Sequence, residues 1–456
     1  MEYIRYSRWC DEVDKMKEVK IHILHVGDMT NKGTEALIRS DVATLHELYD
    51  NASVSVSTTD VEGVKKIGMD CTVMPVMIDI PYKIADSLGG KNLSRNSIQY
   101  KIYAVIGLVL MFIQTVLLFI SSLFVKVGLP GFYRTTLIGR VKECDVIISG
   151  SDENFKEAAS LLPTNIYWKI TWWSILFKRA MEMVVCKIFD KPTIMFPNSL
   201  GPFRSAIGRF LSRLAFENMD IIIVREPISW DILEALDVPT ERHLTSDAAL
   251  LFKPRGDPPR DVTTQPTLCI CTGVYSQTLS PEEMDSFIDA HAIAADFAIE
   301  ELDLEVVLMP HYITGFEMDD LHVSNLILER MKYKERAKIV EVSSLDEFKH
   351  RLNFMDLLIS AKMHPAVLGV SGFVPTLCIA YDHKQIGFFK ILEMPECVIE
   401  IREVTSENLV DTLYYINVNK EKLRSNLREK IPELQRVIKE TMESSLDKLL
   451  NSDREP

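Results

Sequence analysis

The sequence predicts a two-domain α/β protein, and three observations predict it. Short apolar runs of strand length alternate with segments of helical apolar spacing along most of the 456 residues. Polar, Gly-rich loops recur at the ends of those runs, where parallel sheets take their ligands. A stretch rich in Pro, Gly and charge, KPRGDPPRDVTTQP from Lys253 to Pro266, splits the alternation into two series. Strands alternating with helices imply mostly parallel sheets, and a chain of this length can bury two cores.

The first series opens with KIHILHV from Lys20, followed by the loop GDMTNKGT and by EALIRSDVATLHEL, which has helical spacing. SVSVSTT from Ser53 reads as the next strand. After an apolar interruption, DVIISGSD, PTIMFPNSLGPF and DIIIVREPIS each read as a strand running into a loop. The second series begins with TLCICTGVY and continues through a helix around Met284–Glu301 and the strand LEVVLMPH. A helix near Leu321–Arg330, the strand AKIVEV, FMDLLIS–AKMHPAVLGVSG and VPTLCIAY follow. Glu421 to Leu450 reads as a charged amphipathic helix. The domains are expected at 18–250 and 267–410, joined by a linker at 251–266 and followed by a C-terminal helix at 411–456.

The net charge of −14 excludes a general nucleic-acid binder, which needs a basic surface. The eight cysteines form no CxxC pair and no Cys/His cluster of zinc spacing, so buried thiols and a reducing compartment are expected. The first residues, MEYIRYSRWCDEVDKMK, do not read as a secretory signal.

The interruption is the sharpest compositional boundary. Between Leu88 and Lys142 there is no Asp or Glu, while Lys91, Arg95, Lys101, Lys126, Arg134, Arg140 and Lys142 are present. Inside it, Ala104 to Val125 is uncharged and apolar on every face, and roughly 20 such residues suffice to cross a bilayer. A single crossing would place halves of one sheet on opposite sides of the membrane. The expectation is therefore a monotopic segment seated on an anionic, cytoplasmic membrane face through about 88–142, bent near Gln114-Thr115 if it forms a hairpin. A true span and a protein-buried helix are the alternatives. The following stretch, NIYWKITWWSILFKRAMEMVVCK, sets Tyr167, Trp168, Trp172 and Trp173 beside Lys169, Lys178 and Arg179. It reads equally as a membrane-interface helix or as a helix packed on a sheet.

Six segments in order resemble the polysaccharide pyruvyl transferase family: NKGTEAL, SGSDENF, FPNSLGPFR, VREPISWDIL, LTSDAALLF and ISAKMHPAVLGVSGFVPTLCIAYDHKQIGF. The resemblance implies a glycosyltransferase-B-like fold, in which two Rossmann-like domains face a cleft. It also implies transfer of a pyruvyl group from phosphoenolpyruvate to sugar hydroxyls as a ketal, with no cofactor beyond that donor and no metal. Two positions depart from the family pattern. Lys362 stands where the family carries Arg before the histidine, and Thr34 stands where the first loop carries Asp. Lys keeps a point charge but loses the bidentate fork.

Phosphoenolpyruvate needs cations and backbone donors for its phosphate and carboxylate, and an acid for its methylene carbon. His364 is the candidate acid, between Lys362 and Pro365, which suits the first turn of a helix. Arg225, at the end of DIIIV, suits gripping an anion in the cleft, or else pairs with Glu226 or Asp247. Lys384 is placed to reach the same anion. Ser199 and Gly201 form a turn that holds the donor or is purely structural, and His311 is a candidate donor contact at a strand end. Gly33 belongs to the first loop. Glu35 caps the first helix or takes a proton from the sugar. Asp152 is its counterpart in the second loop, and Asp247 is a candidate to orient a basic side chain. The acceptor is expected to be a sugar or a lipid-linked glycan. A nucleotide-sugar glycosyltransferase and a non-catalytic glycan binder are the other function classes this sequence admits.

Overall fold

The computed structural model describes residues 18–90, 93, 97–157, 166–259, 265–273, 279–313 and 319–452, with side chains from 170 onward in the segment that starts at 166. The N-terminal segment, part of the interdomain linker, Lys91, Arg95 and the side chains of Tyr167, Trp168 and Lys169 lie outside the described residues.

Two parallel sheets carry the fold. In the first domain the strands are β1 (Val19–Val26), β2 (Ala52–Thr58), β3 (Thr72–Pro75), β4 (Val146–Ser149), β5 (Asp152–Phe155), β6 (Thr193–Leu200), β7 (Ile221–Val224) and β8 (Glu241–Leu244). Their order is β3-β2-β1-β4-β6-β7-β8, with the short β5 paired to β6. In the second domain β9 (Thr267–Cys271), β10 (Glu305–Leu308), β11 (Ala337–Ile339), β12 (Leu357–Ser360), β13 (Thr376–Ala380) and β14 (Val398–Glu400) lie in the order β11-β10-β9-β12-β13-β14. Each sheet reverses its winding once, between β1 and β4 and between β9 and β12. Ligands of doubly wound sheets sit at such switch points. The loops found there begin at Gly27 and Gly150 in one domain and at Thr272 and Ala361 in the other.

The strands read as continuous apolar runs because both faces are covered; Thr193–Leu200 is buried at every position. One core is continuous from the first sheet to the second and includes Leu427, Ile438 and Leu446 of the C-terminal helix Lys420–Ser452. That helix crosses back to the first domain, where Gln435 Nε2 donates to the Leu250 carbonyl (2.6 Å) and Asp447 accepts from Tyr49 Oη (2.7 Å). The C-terminal region is two helices, Ser406–Val418 and Lys420–Ser452, rather than the single one expected, because Asn419 breaks the run.

The apolar insert forms one continuous helix, Ile98–Lys126, with no bend at Gln114. The Gln114 amide that suggested a hairpin is instead satisfied by Asp79. It accepts from the Asp79 N–H (3.0 Å) and donates to the Asp79 carboxylate (3.1 Å). One face of the helix packs on the protein through Tyr100, Ala104, Gly107, Met111, Thr115, Leu118 and Ser122, spaced by three or four residues. At Gly107 a Cβ would lie 2.3 Å from the Pro81 carbonyl oxygen, so only glycine permits this approach. Phe112 stacks on Phe177 of the helix Ile166–Ile188 at 5.9 Å. A third of the most apolar window is buried, so the helix is not a core helix. It is long and apolar enough to cross a membrane, by length and composition. The basic flank is partly spent within the protein. Arg134 pairs with Asp79 (2.9 Å) and Lys126 with Asp190, while Lys101 and Lys142 are exposed.

The aromatic–basic stretch is, over its described side chains, a packed helix. Trp173 Nε1 donates to Glu157 (3.0 Å) and the Lys178–Glu182 pair is buried (2.9 Å). Cys269 and Cys271 are buried neighbours, their sulfurs 3.8 Å apart, and both are free thiols.

Candidate active site

Three pieces of backbone meet between the domains. β1 ends in a loop whose Asn31 caps the helix Lys32–Leu48, its side chain accepting from the Gly33 N–H (3.0 Å). β12 runs into the helix Met363–Val370, with Lys362 at its N-cap. β10 runs on to His311 and Tyr312. Together they enclose a cleft of about 280 Å³ lined in part by Asn31, Thr34, His311, Lys362, His364 and Tyr381. Two helix N-termini therefore face one space, and each brings backbone N–H groups and positive dipole density.

His364 is the centre of this meeting. It is 8 % exposed, and its Nε2 is buried without a hydrogen-bond partner among the described residues. A Cβ on Gly33 would lie 1.9 Å from its Nδ1. Gly33 thus lets a second-domain imidazole lie against the first turn of a first-domain helix. Burial holds the His364 pKa below the ordinary histidine value. Asp247 and Asp152 pull it up, and Arg225 and Lys384 push it down.

The surrounding cations occupy two layers. On the cleft, Lys362 Nζ rests on Asp320 (2.8 Å) and lies over the Tyr312 ring. Its stem runs across Gly273, where a Cβ would meet Lys362 Cε at 2.4 Å. Lys32 Nζ reaches across the domains to donate to the His311 carbonyl (3.0 Å). The His311 ring packs edge-on against Phe348, its Nε2 buried and unpartnered among the described residues. Burial, then Lys362 and Lys32, hold the His311 pKa well down, so its ring is neutral.

Behind the cleft, Arg225 is fully buried. Its Nη1 donates to Asp247 (2.8 Å) and its Nε to Ser199 (2.8 Å), leaving Nη2 unpartnered among the described residues. Burial opposes its charge, but Asp247, Asp152 and Glu153 outweigh that and raise its pKa. Asp247 also caps a short turn by accepting from the Ala249 N–H (2.9 Å). Lys384 pairs with Glu153 of the first domain (2.5 Å), and Lys156 holds the other oxygen of that carboxylate.

Several expected contacts are therefore placed differently. Arg225 and Lys384 do not line the cleft; both are committed to carboxylates behind it, where they shape the potential at His364. Ser199 holds Arg225. Gly201 sits in an interior turn at φ +70°, which glycine adopts without strain, against Ile232 and Phe203. Glu35 does not cap the first helix, because Asn31 does. Glu35 instead accepts from Arg39 (3.1 Å), which also holds Asp346 of the second domain (2.7 Å). Asp152 accepts weakly from Thr34 Oγ1 (3.4 Å). Lys32, Asp320, Tyr312 and Tyr381 went unnoticed in the sequence. Lys32 sits inside NKGTEAL and was the one with a signal, a cation at a helix N-terminus where none is expected for the dipole. Among the described residues no group of three or more His, Cys, Asp or Glu is arranged to hold a metal.

The sequence profile of the polysaccharide pyruvyl transferase family matches residues 31–383. The chain belongs to the polysaccharide pyruvyl transferase family. The match takes in the first loop, the second loop and the His364 helix. Among individual relatives, the chain is 21% identical over 252 residues to the amylovoran biosynthesis protein AmsJ of Erwinia amylovora. That similarity covers 50% of this chain and spans 59% of AmsJ. Solved structures share the fold at low identity. A UDP-N-acetylglucosamine 2-epimerase from Listeria monocytogenes matches with a TM-score of 0.61 at 11% identity, over 96% of this chain and 98% of its own. The UDP-GlcNAc 2-epimerase of Neisseria meningitidis (TM-score 0.55, 9% identity, 94% and 100% covered) and HepE of Anabaena (0.54, 12%, 95% and 100%) match similarly. The chain has the glycosyltransferase-B-like architecture, two parallel α/β domains facing a cleft, with one apolar helix added to the first domain.

Proposed function

We propose that this pyruvyl transferase moves the pyruvyl group of phosphoenolpyruvate onto two hydroxyls of a sugar at a membrane surface. Family membership supports polysaccharide pyruvylation in general. The observation that carries the finer reading is the position of His364: a buried, unpartnered imidazole nitrogen in a cleft that two helix N-termini, Lys362 and Lys32 make receptive to an anion.

In this reading the donor phosphate and carboxylate lie against Lys362 and the backbone N–H groups at the start of Met363–Val370, with the charge of Lys32 behind them. His364 passes a proton to the methylene carbon as one sugar hydroxyl attacks the adjacent carbon. The second hydroxyl attacks the same carbon as the C–O bond to phosphate breaks, and inorganic phosphate leaves. The two hydroxyl protons balance the new methyl group and the protonation of the leaving phosphate. A buried neutral histidine gains its proton when the donor's negative charge arrives beside it, so acid strength and donor binding are coupled.

The membrane part rests on the helix Ile98–Lys126. It lies along the protein over its length, and its outer face exposes Ile102, Val105, Val109, Phe112, Ile113, Val116, Ile120 and Phe124. Such a face suits the acyl region of a bilayer in the plane of the interface, with Lys101 and Lys142 toward anionic headgroups.

The test incubates the protein with phosphoenolpyruvate and candidate glycans, and separately with nucleotide sugars. Glycan-dependent phosphate release with a ketal product supports the reading. Release of a nucleoside diphosphate instead would replace it with glycosyl transfer. His364→Ala is expected to lose at least about a hundredfold in kcat, in the range of one general acid, and unchanged turnover would remove the acid assignment.

A further inference from the structure

A second cavity of about 500 Å³ opens from the same cleft, sharing Asp28, Asn31 and Tyr312 with it. It extends toward the apolar helix. Tyr100 of that helix forms part of its wall, and Ile80 and Tyr82 come from the segment on which the helix packs. Trp172, Ile175 and Arg179 come from the helix Ile166–Ile188, which stacks on it through Phe177. The shared rim therefore connects the His364 cleft with a space that reaches the packed side of the apolar helix at Tyr100.

The charges in this cavity are unevenly satisfied. Lys83 pairs with Asp28 (3.2 Å), Lys156 with Glu153 (2.5 Å) and Lys178 with Glu182 (2.9 Å). Arg179 makes no hydrogen bond or ion pair among the described residues, although it is only partly exposed. Burial lowers its pKa despite the distant pull of Glu182 and Asp152. A half-buried guanidinium with its donors unused is costly unless an anion joins it, and its planar fork suits a phosphate ester.

We propose that Arg179 marks a phosphate subsite for the acceptor: the phosphate or diphosphate ester that links the acceptor sugar to a lipid. The geometry orders such an amphiphile along the connected spaces. Its apolar chain lies toward Ile98–Lys126, its phosphate at Arg179 between Tyr82 and Trp172, and its sugar in the cleft. The placement of the sugar rests on the transfer reading above; the phosphate subsite stands on Arg179 and the cavity.

The full chain in detergent is titrated with farnesyl diphosphate, farnesol, inorganic pyrophosphate and phosphoenolpyruvate. Farnesyl diphosphate is expected to bind more tightly than either farnesol or pyrophosphate. Arg179→Ala is expected to weaken it about ten- to hundredfold, as for loss of a charged hydrogen bond, with no change in phosphoenolpyruvate affinity. Arg179→Lys should restore part of the loss, which a merely unfolded variant would not. Equal affinity of Arg179→Ala and the unaltered protein for farnesyl diphosphate overturns the proposal, and so does a parallel loss of phosphoenolpyruvate binding, which would make Arg179 a donor contact. Pyrophosphate binding as tightly as farnesyl diphosphate would overturn the lipid linkage and point to a soluble anion. Anionic phospholipid vesicles competing with the probe as well as a diphosphate would assign Arg179 to headgroups instead. Arg179-dependent binding in a protein that never releases phosphate from phosphoenolpyruvate would sink the transfer reading and leave the subsite in place.

Discussion

At the scale of single residues, the site depends on one absent side chain. Gly33 is needed because the His364 ring occupies the space of its Cβ. Gly33→Ala is expected to push the imidazole out of register and lower kcat about a hundredfold, the scale on which an ångström of misplacement acts. Thermal unfolding should shift little, since the ring borders an open cleft. Measuring kcat beside the melting temperature separates the two. The pH profile reports on the same imidazole. Burial holds the pKa of His364 below the ordinary value of about 6.5 in the unliganded protein, and the reaction uses its protonated form. With rising pH, kcat/KM for phosphoenolpyruvate should therefore fall through a midpoint below the ordinary histidine range. The midpoint in kcat should lie higher, because bound donor anion favours the imidazolium. Coincident midpoints would show that the donor does not lie beside His364. The Lys362 departure also finds a physical setting here. Asp320 already holds its ammonium (2.8 Å) and Tyr312 covers it, and Lys32 supplies a second cation from the opposite domain.

At the scale of elements, the helix Ile98–Lys126 separates two kinds of information. Its length, apolar character and the acid-free stretch around it were plain in the sequence. Its direction of packing was not, because a helix apolar on every face has no periodicity to read. The buried side is set by small and polar residues, Ala104, Gly107, Thr115 and Ser122, and by the Gln114–Asp79 pair. This side faces the protein, which is the reverse of the usual amphipathic rule. Replacing Val109, Ile113 and Val116 together with Glu is expected to abolish sedimentation with anionic vesicles while leaving kcat on a water-soluble glycan within about twofold, since these side chains lie on the exposed side of the helix. Retained sedimentation in the triple variant would assign membrane contact elsewhere.

At the scale of the whole molecule, the domains are held by charges that cross the cleft. Arg39 meets Asp346, Lys384 meets Glu153 and Lys32 meets the His311 carbonyl. The C-terminal helix ties the two cores from behind. The fold also buries neutral histidines. His22 is pushed down to about 3, and His25 and His291 to about 4, in each case first by burial. A histidine whose folded pKa lies below its unfolded value weakens the fold as pH drops through the unfolded value of about 6.5, and the loss levels off below the folded one. His291 lies within the helix Pro281–Glu300, and its Nε2 has no partner among the described residues. His291→Leu should match the unaltered protein near pH 7 and become more stable than it between pH 6.5 and 4, by on the order of 3 kcal/mol at the lower end. Denaturant melts across that range give the measurement, and parallel curves would refute it.

The sequence by itself determined the strand–helix alternation, the division near residue 260, the apolar insert and the loop segments that carry the family likeness. These are local properties, written in periodicity, turn residues and composition. It also singled out His364, because Lys-Met-His-Pro at a strand end already describes a helix start suited to an anion. Only the tertiary structure decided which charges reach the cleft. Arg225 looked like an anion grip from its position after β7, yet Ser199 and Asp247 hold it entirely behind the site. Lys32 looked unremarkable, yet it is a buried cation beside the cleft because the second domain's His311 carbonyl is there to receive it. Gly33 acquired its reason only when a ring more than three hundred residues away came to lie on it. Contacts of that range depend on how two domains dock, and no local pattern in the chain encodes them.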